Sequence, residues 1–528
     1  MPISGCLNPV VITADCGFFI LNNEKRMTMS YNFIKFNNVS FTYEGMSSLL
    51  FEGLTFQIQE GWTGIIGPNG SGKSTLLKLS TGNLKCSIGF IETSGNTYYA
   101  EQRTDYPPAE FFEMLKKRDK HFYRLIEQME IDAGWIERWG SLSHGERKRI
   151  QIAAALWNDS GIVALDEPTN HLDIRTKDLI LNSLLAFKGT GLIVSHDRDL
   201  LNRLCIKYIF TEPPRIDIRK GDLDDVMEQR KTENDYLIKS ARNKQAEIRK
   251  LEAEYKRRQE NEEKAKNKYS KKNLDPKDRD AKGRIDLARL TGKDAVWGNL
   301  KTAMSARIDK ANSELNGIEF KKEFRKGITL SSSRSNRNFL LNEEAGCLKL
   351  SDKKILNFPQ LVIKPDSRIS LIGANGSGKS TLVNYLLGKL NAELEHITYI
   401  PQEITANESS VLIQEVKKMN SKDFGKLMIV MSRLGSDPKK VIESDSPSPG
   451  ETRKLMLGLG IAKEPHIIIL DEPTNHMDLI SIECLEEALQ NVNCALLLVS
   501  HDTIFLEKLT TERWEIKEIG NELVLNLE

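Results

Sequence analysis

The chain has 528 residues, of which 28% are charged and 39% are hydrophobic. At about 150 residues per domain, this length predicts three or four domains and argues against a single core. Lys plus Arg number 75 and Asp plus Glu number 74, so the net charge of +1 indicates neither a nucleic-acid partner nor an acidic one. The seven cysteines lack CxxC spacing, so they indicate neither a disulfide framework nor a zinc ribbon, and we expect most of them to be buried apolar residues.

Nothing in the sequence indicates a membrane span or a secretion signal. No stretch reaches the ~18–20 continuous apolar residues that a span needs. The apolar piece from Val10 to Leu21 is interrupted by polar residues and lacks a basic segment before it. A strand-like pattern begins only at Phe33. We therefore expect residues 1–28 to be a disordered extension or a start-codon artefact.

Three blocks of sequence occur twice, in the same order. The first block recurs at an offset of 306 and the other two recur at an offset of 305. The pairs are 67–75 with 373–381, 165–171 with 470–476, and 194–197 with 499–502. Blocks in register indicate a duplicated domain of roughly 190 residues. We expect the two copies at 29–225 and 327–528, with a connector of different character at 226–326.

The first block of each copy has the form Gly-x4-Gly-Lys-Ser between an apolar strand and a helical run, as a phosphate-binding loop requires. Its glycines turn backbone N–H groups toward phosphate oxygens, the lysine reaches the β- and γ-phosphates, and the serine binds Mg²⁺. Two matches in register make a chance glycine-rich turn negligible. The expected nucleotide-binding residues are Gly67, Asn69, Gly70, Gly72, Lys73, Ser74 and Thr75, and Gly373, Asn375, Gly376, Gly378, Lys379, Ser380 and Thr381.

In the second block, an apolar strand ends in Asp-Glu. The aspartate is expected to hold the metal through water and the glutamate to polarise the attacking water. Asp-Glu alone also fits a helix N-cap, but here it follows a phosphate loop in both copies. A histidine ends a further apolar strand and is either structural or a neutral contact to the γ-phosphate and the water. The metal candidates are Asp166 and Asp471, and the catalytic candidates are Glu167, Glu472, His196 and His501.

These blocks resemble the ATPase domain of ATP-binding cassette proteins, which implies an α/β fold with a P-loop in each copy. By this resemblance, Gln102 and Gln402 are the Q-loop glutamines that sense Mg²⁺ and the nucleotide. Tyr43 fits the aromatic residue that stacks on adenine. The second copy has no aromatic residue at the equivalent place, near Lys349.

Residues 142–146 and 447–451 resemble the LSGGQ signature, whose serine and glycine clamp the γ-phosphate bound by the opposite cassette. The third position is His144 or Pro449 instead of glycine, which departs from the family pattern. The resemblance implies that two cassettes in one chain close head to tail over two ATP molecules. The signature residues expected to take part are Ser143, Gly145, Ser448 and Gly450.

The two composite sites follow from that pairing. Site one joins Lys73 and Glu167 to Ser448, and site two joins Lys379 and Glu472 to Ser143. Both sites contain the glutamate, so we expect both to hydrolyse ATP. Closure on ATP and opening after hydrolysis form a two-state element.

The continuations Asn-His-Leu-Asp at 170–173 and Asn-His-Met-Asp at 475–478, with fused cassettes and a charged connector, resemble the ABC-F family. Members of that family work on ribosomes. The resemblance covers about residues 33–528 and implies two cassettes in tandem, joined by an α-helical hairpin linker. Ser143 lies only 41 positions after Gln102, which leaves little room for the inserted arm of housekeeping members, and only 27 residues follow His501, so we do not expect the C-terminal coiled coil of DNA-binding members. The chain most resembles the antibiotic-resistance branch.

The connector carries 28 Lys or Arg against 18 Asp or Glu, a net charge of +10 that leaves −9 for the remainder. Apolar residues recur at helical spacing on both sides of 269–281, which contains Pro276 and is predicted to be a hairpin tip. By resemblance the hairpin enters the tRNA exit region and contacts P-site tRNA near the peptidyl-transferase centre. The RNA-contact candidates are Lys271, Lys272, Lys277 and Arg279. The alternative is a solvated coiled coil that only spaces the cassettes.

The sequence therefore predicts a cytoplasmic, monomeric ATPase that uses ATP and Mg²⁺, binds rRNA and P-site tRNA on the ribosome, and protects translation from antibiotics. The alternatives are a housekeeping ABC-F translation factor, the ATPase subunit of a transporter and a DNA-acting ATPase. We expect neither a membrane subunit nor DNA as a partner, because the chain contains both cassettes and lacks the C-terminal extension of DNA-binding members.

Overall fold

The structure is a computed structural model. It describes residues 32–46, 48–158, 160–170, 172–268, 293–316, 334–351, 354–434, 436, 441, 448–520 and 522–528. The expected N-terminal extension, 1–28, and the predicted hairpin tip, 269–281, lie outside the described residues.

The first cassette is built on a mostly parallel sheet of six strands in the order β5-β6-β7-β3-β8-β9, beside an antiparallel sheet β2-β1-β4. Central strands such as β6 are buried along their whole length, as expected for parallel strands covered on both faces. The strands are β1 (Ile34–Phe41), β2 (Phe51–Ile58), β3 (Gly61–Ile66), β4 (Ile88–Thr93), β5 (Thr97–Ala100), β6 (Ile162–Asp166), β7 (Thr190–Val194), β8 (Lys207–Glu212) and β9 (Arg215–Lys220). The helices are α1 (Lys73–Ser80), α2 (Ala109–Lys117), α3 (Lys120–Gln128), α4 (His144–Trp157), α5 (Ile174–Leu185) and α6 (Arg198–Leu204), with a 3-10 segment at Ala133–Ser141.

Two long helices follow, α7 (Leu223–Lys268) and α8 (Lys293–Asn316), which agree with the helices predicted for the connector. They pack against each other through small and apolar side chains, including the buried residues Ala241, Ile248, Met304 and Ala311. An ion pair of 2.6 Å between Lys244 Nζ and Glu314 links the two helices on the outside.

The second cassette repeats the plan of the first. Its eight-stranded sheet has the order β11-β12-β19-β18-β14-β17-β16-β15, and β10 pairs with β13. The strands are β10 (Leu341–Glu343), β11 (Gly346–Ser351), β12 (Lys354–Phe358), β13 (Leu361–Ile363), β14 (Arg368–Gly373), β15 (Ile397–Ile400), β16 (Ile467–Asp471), β17 (Ala495–Val499), β18 (Glu512–Ile519) and β19 (Glu522–Leu527). The helices are α9 (Lys379–Leu387), α10 (Ala406–Lys418), α11 (Ser421–Arg433), α12 (Pro449–Ala462), α13 (Leu479–Gln490) and α14 (Thr503–Leu509), with a short 3-10 segment at Leu394–His396. The predicted α/β tandem is therefore confirmed.

The parallel strands β15-β16-β17-β14-β18 match β5-β6-β7-β3-β8 one for one. In both cassettes the glycine-rich loop, the Asp-Glu pair and the histidine follow adjacent strands of this sheet. Because the carboxyl ends of parallel strands meet at one edge, the fold brings these three blocks of sequence together.

Two further observations concern the described part of the chain. No helix there is long and apolar enough to cross a membrane. Of its five cysteines, only Cys205 and Cys494 are buried. The expectation that most cysteines are buried is therefore wrong for these five, because Cys86, Cys347 and Cys484 lie in more open positions.

Candidate nucleotide sites between the two cassettes

Each glycine-rich loop has a conformation that only glycine adopts without strain. Gly72 and Gly378 precede α1 and α9 with φ values of 87° and 91°. A Cβ atom would lie 2.8 Å from the Phe51 ring at Gly72 and 2.5 Å from Leu350 at Gly378. The loops therefore turn tightly and bring their backbone N–H groups to the start of a helix, where anions bind.

The two loop lysines are enclosed by their own loops. Lys73 Nζ donates to the carbonyl oxygens of Gly67 at 2.9 Å and Pro68 at 3.1 Å, and Lys379 Nζ makes the same two bonds to residues 373 and 374. Burial lowers the pKa of each lysine, while the carboxylates of Glu167 and Glu472 oppose that shift. Each ammonium group is thus placed to neutralise an anion held in the loop.

The remaining loop residues lie around these lysines. Ser74 and Ser380 open their helices, next to Thr75 and Thr381. Asn375 and Gly376 line a cavity in cassette 2, whereas Asn69 points across to the other cassette, as described below. Gly70 and Gly376 have φ values of 79° and 75°, so they share the left-handed conformation of the loop.

Asp166 and Asp471 end strands β6 and β16 and are 4% and 1% exposed. Burial raises the pKa of both carboxyl groups, and the hydroxyl groups of Ser74 and Ser380 oppose the shift. Tyr99 Oη donates to Asp166 Oδ2 at 3.0 Å.

A serine hydroxyl beside a buried carboxylate is a set of hard oxygen donors that fits Mg²⁺. The part of the chain that the structure describes holds no group of three or more His, Cys, Asp or Glu residues suited to a metal. Mg²⁺ is usually held by one or two protein oxygens together with phosphate and water.

Glu167 and Glu472 occupy strained backbone positions, with φ values of 47° and 49°. The neighbouring strands hold them there, because their N–H groups donate to the carbonyl oxygens of Val194 at 2.9 Å and Val499 at 2.8 Å. Non-glycine residues with positive φ concentrate at functional sites. Both side chains are buried, and burial raises the pKa of Glu472 to about 7.

The predicted histidines lie beside these glutamates. His196 Nε2 is 2.9 Å from Glu167 Oε1, whereas His501 Nε2 is 3.5 Å from Glu472 Oε1 and 3.0 Å from Asn375 Oδ1. Burial, with help from Lys379, lowers the pKa of His501 to about 3, so its imidazole is neutral at physiological pH.

Both signature segments form capped helix ends. Ser143 and Ser448 cap α4 and α12, and each pairs with the glutamate three residues later in a capping box. Pro449 is the first residue of α12, where proline is favoured because no N–H is needed. The departures at 144 and 449 therefore leave the helix start intact, and Gly145 and Gly450 lie in the first turn.

Each loop faces the opposite cassette. The Asn69 N–H donates to Asp478 Oδ2 at 3.3 Å, and Asn69 Nδ2 donates to the carbonyl oxygen of His476 at 3.0 Å. In the other direction, the backbone N–H of Asn375 donates to Asp173 and helps keep the pKa of that carboxyl low despite its burial. The two cassettes are therefore arranged head to tail, with the residues after each Asp-Glu-Pro-Thr block against the other loop.

The signature of cassette 2 approaches the loop of cassette 1 at Gly450. A Cβ atom there would lie 2.8 Å from the His476 carbonyl oxygen and 3.9 Å from Asn69 Nδ2. Only glycine fits this close to the backbone of His476, in the same cassette, so a glycine at this place in the signature has a packing reason.

The candidate base contacts differ between the two sites. Tyr43 is 40% exposed, and its hydroxyl group lies 2.8 Å from Thr75 Oγ1, beside the loop of cassette 1. In cassette 2, a cavity of about 310 Å³ extends over the loop and is lined by Leu350 and Lys354 in place of an aromatic ring. Gln402 lines the same cavity, and Gln102 is exposed just after β5.

Two buried cations that motif reasoning missed support the sites. Lys148 donates to the carbonyl oxygen of Glu101 and to Gln151 Oε1, both at 2.8 Å. Arg453, 305 positions later, donates to the carbonyl oxygens of Gln402 and Glu472. Lys148 thus ties the signature helix α4 to Glu101, next to Gln102, and Arg453 ties the signature helix α12 to Gln402 and Glu472. A basic residue repeated at offset 305 was the available signal. The RNA-contact candidates Lys271, Lys272, Lys277 and Arg279 lie outside the described residues.

Comparison with known proteins agrees with this geometry. A family model described as "ABC transporter" matches residues 51–170 and 356–475. Ribosome protection protein VmlR of Bacillus subtilis (strain 168) is 29% identical over 512 residues, 93% of this chain and 88% of that protein. Probable ATP-binding protein YheS of Escherichia coli (strain K12) is 28% identical over 526 residues, 89% of this chain and 77% of that protein.

Solved structures show the same tandem fold. An archaeal ribosome recycling factor, in complex with a ribosomal stalk protein, has a TM-score of 0.58 at 19% identity and covers 92% of this chain and 89% of its own. A structure titled RNase-L Inhibitor has a TM-score of 0.57 at 19% identity, with coverage of 93% and 90%. Both halves of the chain match the cassette model and the paired sites lie between them, so the protein is a tandem ATP-binding cassette ATPase that is similar over most of its length to a ribosome protection protein.

Proposed function

We propose that this ATPase binds the ribosome, inserts its connector near P-site tRNA and the peptidyl-transferase region, and protects translation from ribosome-targeting antibiotics. It acts as a monomer in the cytoplasm. The observation that carries the proposal is the joining of two head-to-tail nucleotide sites to a basic helical connector in one chain. Similarity to a ribosome protection protein over 93% of the chain supports it.

The site residues have the following roles in this proposal. Lys73 and Lys379, with the loop N–H groups, hold the β- and γ-phosphates. Mg²⁺ would be held by Ser74 and Asp166 in site one and by Ser380 and Asp471 in site two. Gln102 and Gln402 would sense the bound ion, which neutralises phosphate charge.

Hydrolysis is assigned to Glu167 and Glu472. Water attacks the γ-phosphorus, the bond from phosphorus to the ADP oxygen breaks, and the water proton passes to the glutamate. The buried, strained backbone positions of both glutamates hold each carboxylate at the strand end, where it can accept the proton of the attacking water. His196 and His501 contact the γ-phosphate and the water, His501 as a neutral imidazole.

Closure supplies the second half of each site. Ser448 and Gly450 complete site one, and Ser143 and Gly145 complete site two, because they start helices whose N-terminal ends favour an anion. The contacts of Asn69 with His476 and Asp478 across the interface support this pairing.

The connector is the proposed ribosome-reading element. Its net charge of +10 contrasts with −9 for the rest of the chain. Phosphate contacts by cations gain affinity through release of counterions, so RNA attracts the connector more than the average cassette surface. Lys271, Lys272, Lys277 and Arg279 at the predicted tip remain the candidates for RNA contact.

The first experiment uses protein with Glu167→Gln and Glu472→Gln, which should bind ATP without hydrolysing it. We expect this protein to cosediment with ribosomes in ATP and to inhibit translation, and wild-type protein to do so only weakly. Changing Lys271, Lys272, Lys277 and Arg279 to serine in this background should keep ATP binding and lose inhibition, and the same four changes in wild-type protein should leave ATPase activity intact. Absence of cosedimentation would contradict ribosome binding.

A second experiment separates protection from a housekeeping role. A drug-sensitive host is grown with wild-type or doubly substituted protein across several classes of ribosome-targeting antibiotics. Protection predicts a higher inhibitory concentration for at least one class with wild-type protein alone. Ribosome binding without any such increase would favour the housekeeping factor, and copurification with a membrane subunit would favour a transporter ATPase.

A further inference from the structure

The interface between the cassettes breaks the symmetry of the duplication at one position near the hydrolytic residues. Lys177 lies on α5, and the residue 305 positions later is Ile482 on α13. Both line a small cavity between the cassettes, together with His196 and His501. Isoleucine donates no hydrogen bond, so a polar contact made by Lys177 toward one site has no counterpart toward the other.

Lys177 reaches across the interface to the second cassette. Its Nζ atom lies 2.8 Å from Asp197 Oδ2 in its own cassette and donates to the carbonyl oxygen of His501 at 3.3 Å. Asp197 directly follows His196 and caps α6 through the N–H of Leu200. One ammonium group therefore joins the segment after the first histidine to the backbone of the second.

The contact is well placed to be strong. The Lys177 side chain is 22% exposed and that of Asp197 is 14% exposed, so water and salt screen the pair only in part. Ionised hydrogen-bonding partners make stronger bonds than neutral ones. Because Asp197 holds the Lys177 ammonium group in place, the bond from Lys177 to the His501 carbonyl oxygen restrains that backbone more than a bond from an exposed surface lysine would.

The two histidines lie at different distances from their glutamates, as expected if Lys177 holds only His501. His196, with Ile482 at the mirrored position, lies against Glu167 at 2.9 Å. His501, held by Lys177, lies 3.5 Å from Glu472 and 3.0 Å from Asn375 Oδ1 in the phosphate loop. In site two the imidazole thus lies between the glutamate and the loop, where it faces a γ-phosphate. Burial, Lys379 and Lys177 in that order lower the pKa of His501, which keeps the ring neutral.

We propose that Lys177 is a positioning residue that acts across the interface: it ties His501 to cassette 1, so that hydrolysis at site two depends on this contact. Hydrolysis at site one does not, because Asp197 keeps its place as the cap of α6 through the Leu200 N–H when the ammonium group is removed. The inference rests on the proposed assignment of Glu472 and His501 to hydrolysis. It makes the two ATP sites inequivalent, although each has a complete set of motifs. Site two then responds to the position of cassette 1 through a direct bond to its histidine segment.

The test is a comparison of ATPase kinetics in two backgrounds. Glu167→Gln leaves site two as the hydrolysing site, and Glu472→Gln leaves site one. Lys177→Met keeps the aliphatic stem and removes the ammonium group. We expect about a tenfold lower kcat in the first background, with KM within about twofold, since one charge-assisted hydrogen bond is worth about that factor. In the second background kcat should change by less than about twofold.

Two further variants separate positioning from general damage. Lys177→Arg retains a cation and should restore kcat to within about threefold of the parent. Arg198→Thr breaks another ion pair of the same interface and should affect the two backgrounds equally. Circular dichroism melting confirms that each variant is folded.

Three results would overturn the inference. An equal kcat loss in both backgrounds would make Lys177 a general interface residue, and no loss in either would leave it without a role in hydrolysis. Failure of Lys177→Arg to restore kcat would show that the cation is not what matters. If Glu167→Gln and Glu472→Gln, separately and together, left ATP turnover unchanged, the assignment of the glutamates would fail instead.

Discussion

A buried ion pair joins the cassettes and allows a quantitative test of their pairing. Arg198 Nη1 lies 2.7 Å from Glu486 Oε1, and both side chains are 6% exposed. Lys508 also contacts Glu486, at 3.1 Å, and is 45% exposed. The residues at the mirrored positions are Thr503 and Leu181. The duplication thus suggests its own replacements, Arg198→Thr and Glu486→Leu.

The two single replacements should differ in cost. Glu486→Leu leaves the Arg198 guanidinium buried with only the longer-range charges of Glu483 and Asp502. Removing one member of a buried pair costs about 3–5 kcal/mol. In Arg198→Thr the carboxylate keeps Lys508, so the cost should be only about 1–2 kcal/mol, near that of one hydrogen bond. The double variant removes both charges and should recover most of the loss, because uncharged residues in place of a buried pair are often near neutral.

Because ATP closes the interface in the proposed cycle, this cost should appear as weaker ATP binding. Each 1.4 kcal/mol lowers apparent affinity about tenfold when closure and binding are coupled. Fluorescent ATP is titrated into protein carrying Glu167→Gln and Glu472→Gln. We expect the parent to bind ATP most tightly, followed by the variant with both Arg198→Thr and Glu486→Leu, then Arg198→Thr alone, and Glu486→Leu alone most weakly.

The exposed pair of Arg175 with Glu130 supplies the control for this titration. Its arginine side chain is 77% exposed, so Arg175→Met should change ATP affinity by less than about twofold. The reasoning would be refuted if Glu486→Leu weakened binding no more than Arg198→Thr did. Additive losses in the double variant would refute it as well, because a direct pair must show coupling.

Three other outcomes are expected. In metal-free and nucleotide-free protein, Glu472→Gln should raise the melting temperature at pH 8 and have little effect at pH 5. Burial raises the pKa of Glu472 from 4.5 to about 7, so the folded state binds this proton more tightly than the unfolded chain does. A rise in pH from about 4.5 to about 7 therefore removes about 3 kcal/mol of the wild-type stability, which the glutamine variant retains. No difference between the two pH values would contradict this. Gly450→Ala should lower both ATPase activity and the melting temperature, since a Cβ atom 2.8 Å from the carbonyl oxygen of His476, in the same cassette, displaces the segment that contacts Asn69; normal turnover would contradict it. Tyr43→Ala should raise KM for ATP at site one about tenfold, the worth of one stacked ring, and an unchanged KM would remove Tyr43 from the base site.

Local chemistry explains why much of the sites was predicted from the sequence. A phosphate loop needs glycines of left-handed conformation, a lysine and a serine within nine residues, and this pattern is visible at Gly72 and Gly378 without a structure. The apolar strand that ends in Asp166 or Asp471 is also visible in a short segment of sequence. The two helices of the connector were predicted for the same reason, because helical spacing is a property of a short segment.

Motif departures were harder to interpret from the sequence. His144 and Pro449 replace a signature glycine, and only the structure shows that each helix still starts normally with a capping box. Burial of cysteines was overestimated, because residue type alone does not tell which face of an element is covered. Leu350 and Lys354 at the second base site were also missed, since no family aromatic marks the position.

The sequence by itself determined the duplicated α/β cassettes, the two phosphate loops and the carboxylates beside them. Only the tertiary structure decided how the copies are inequivalent. Lys177 contacts a residue 324 positions away and Arg198 one 288 positions away, so no local pattern joins either pair. Motifs record chemistry within one turn or strand, whereas an interface depends on which distant surfaces pack together, and that is fixed by burial and charge complementarity in the folded chain.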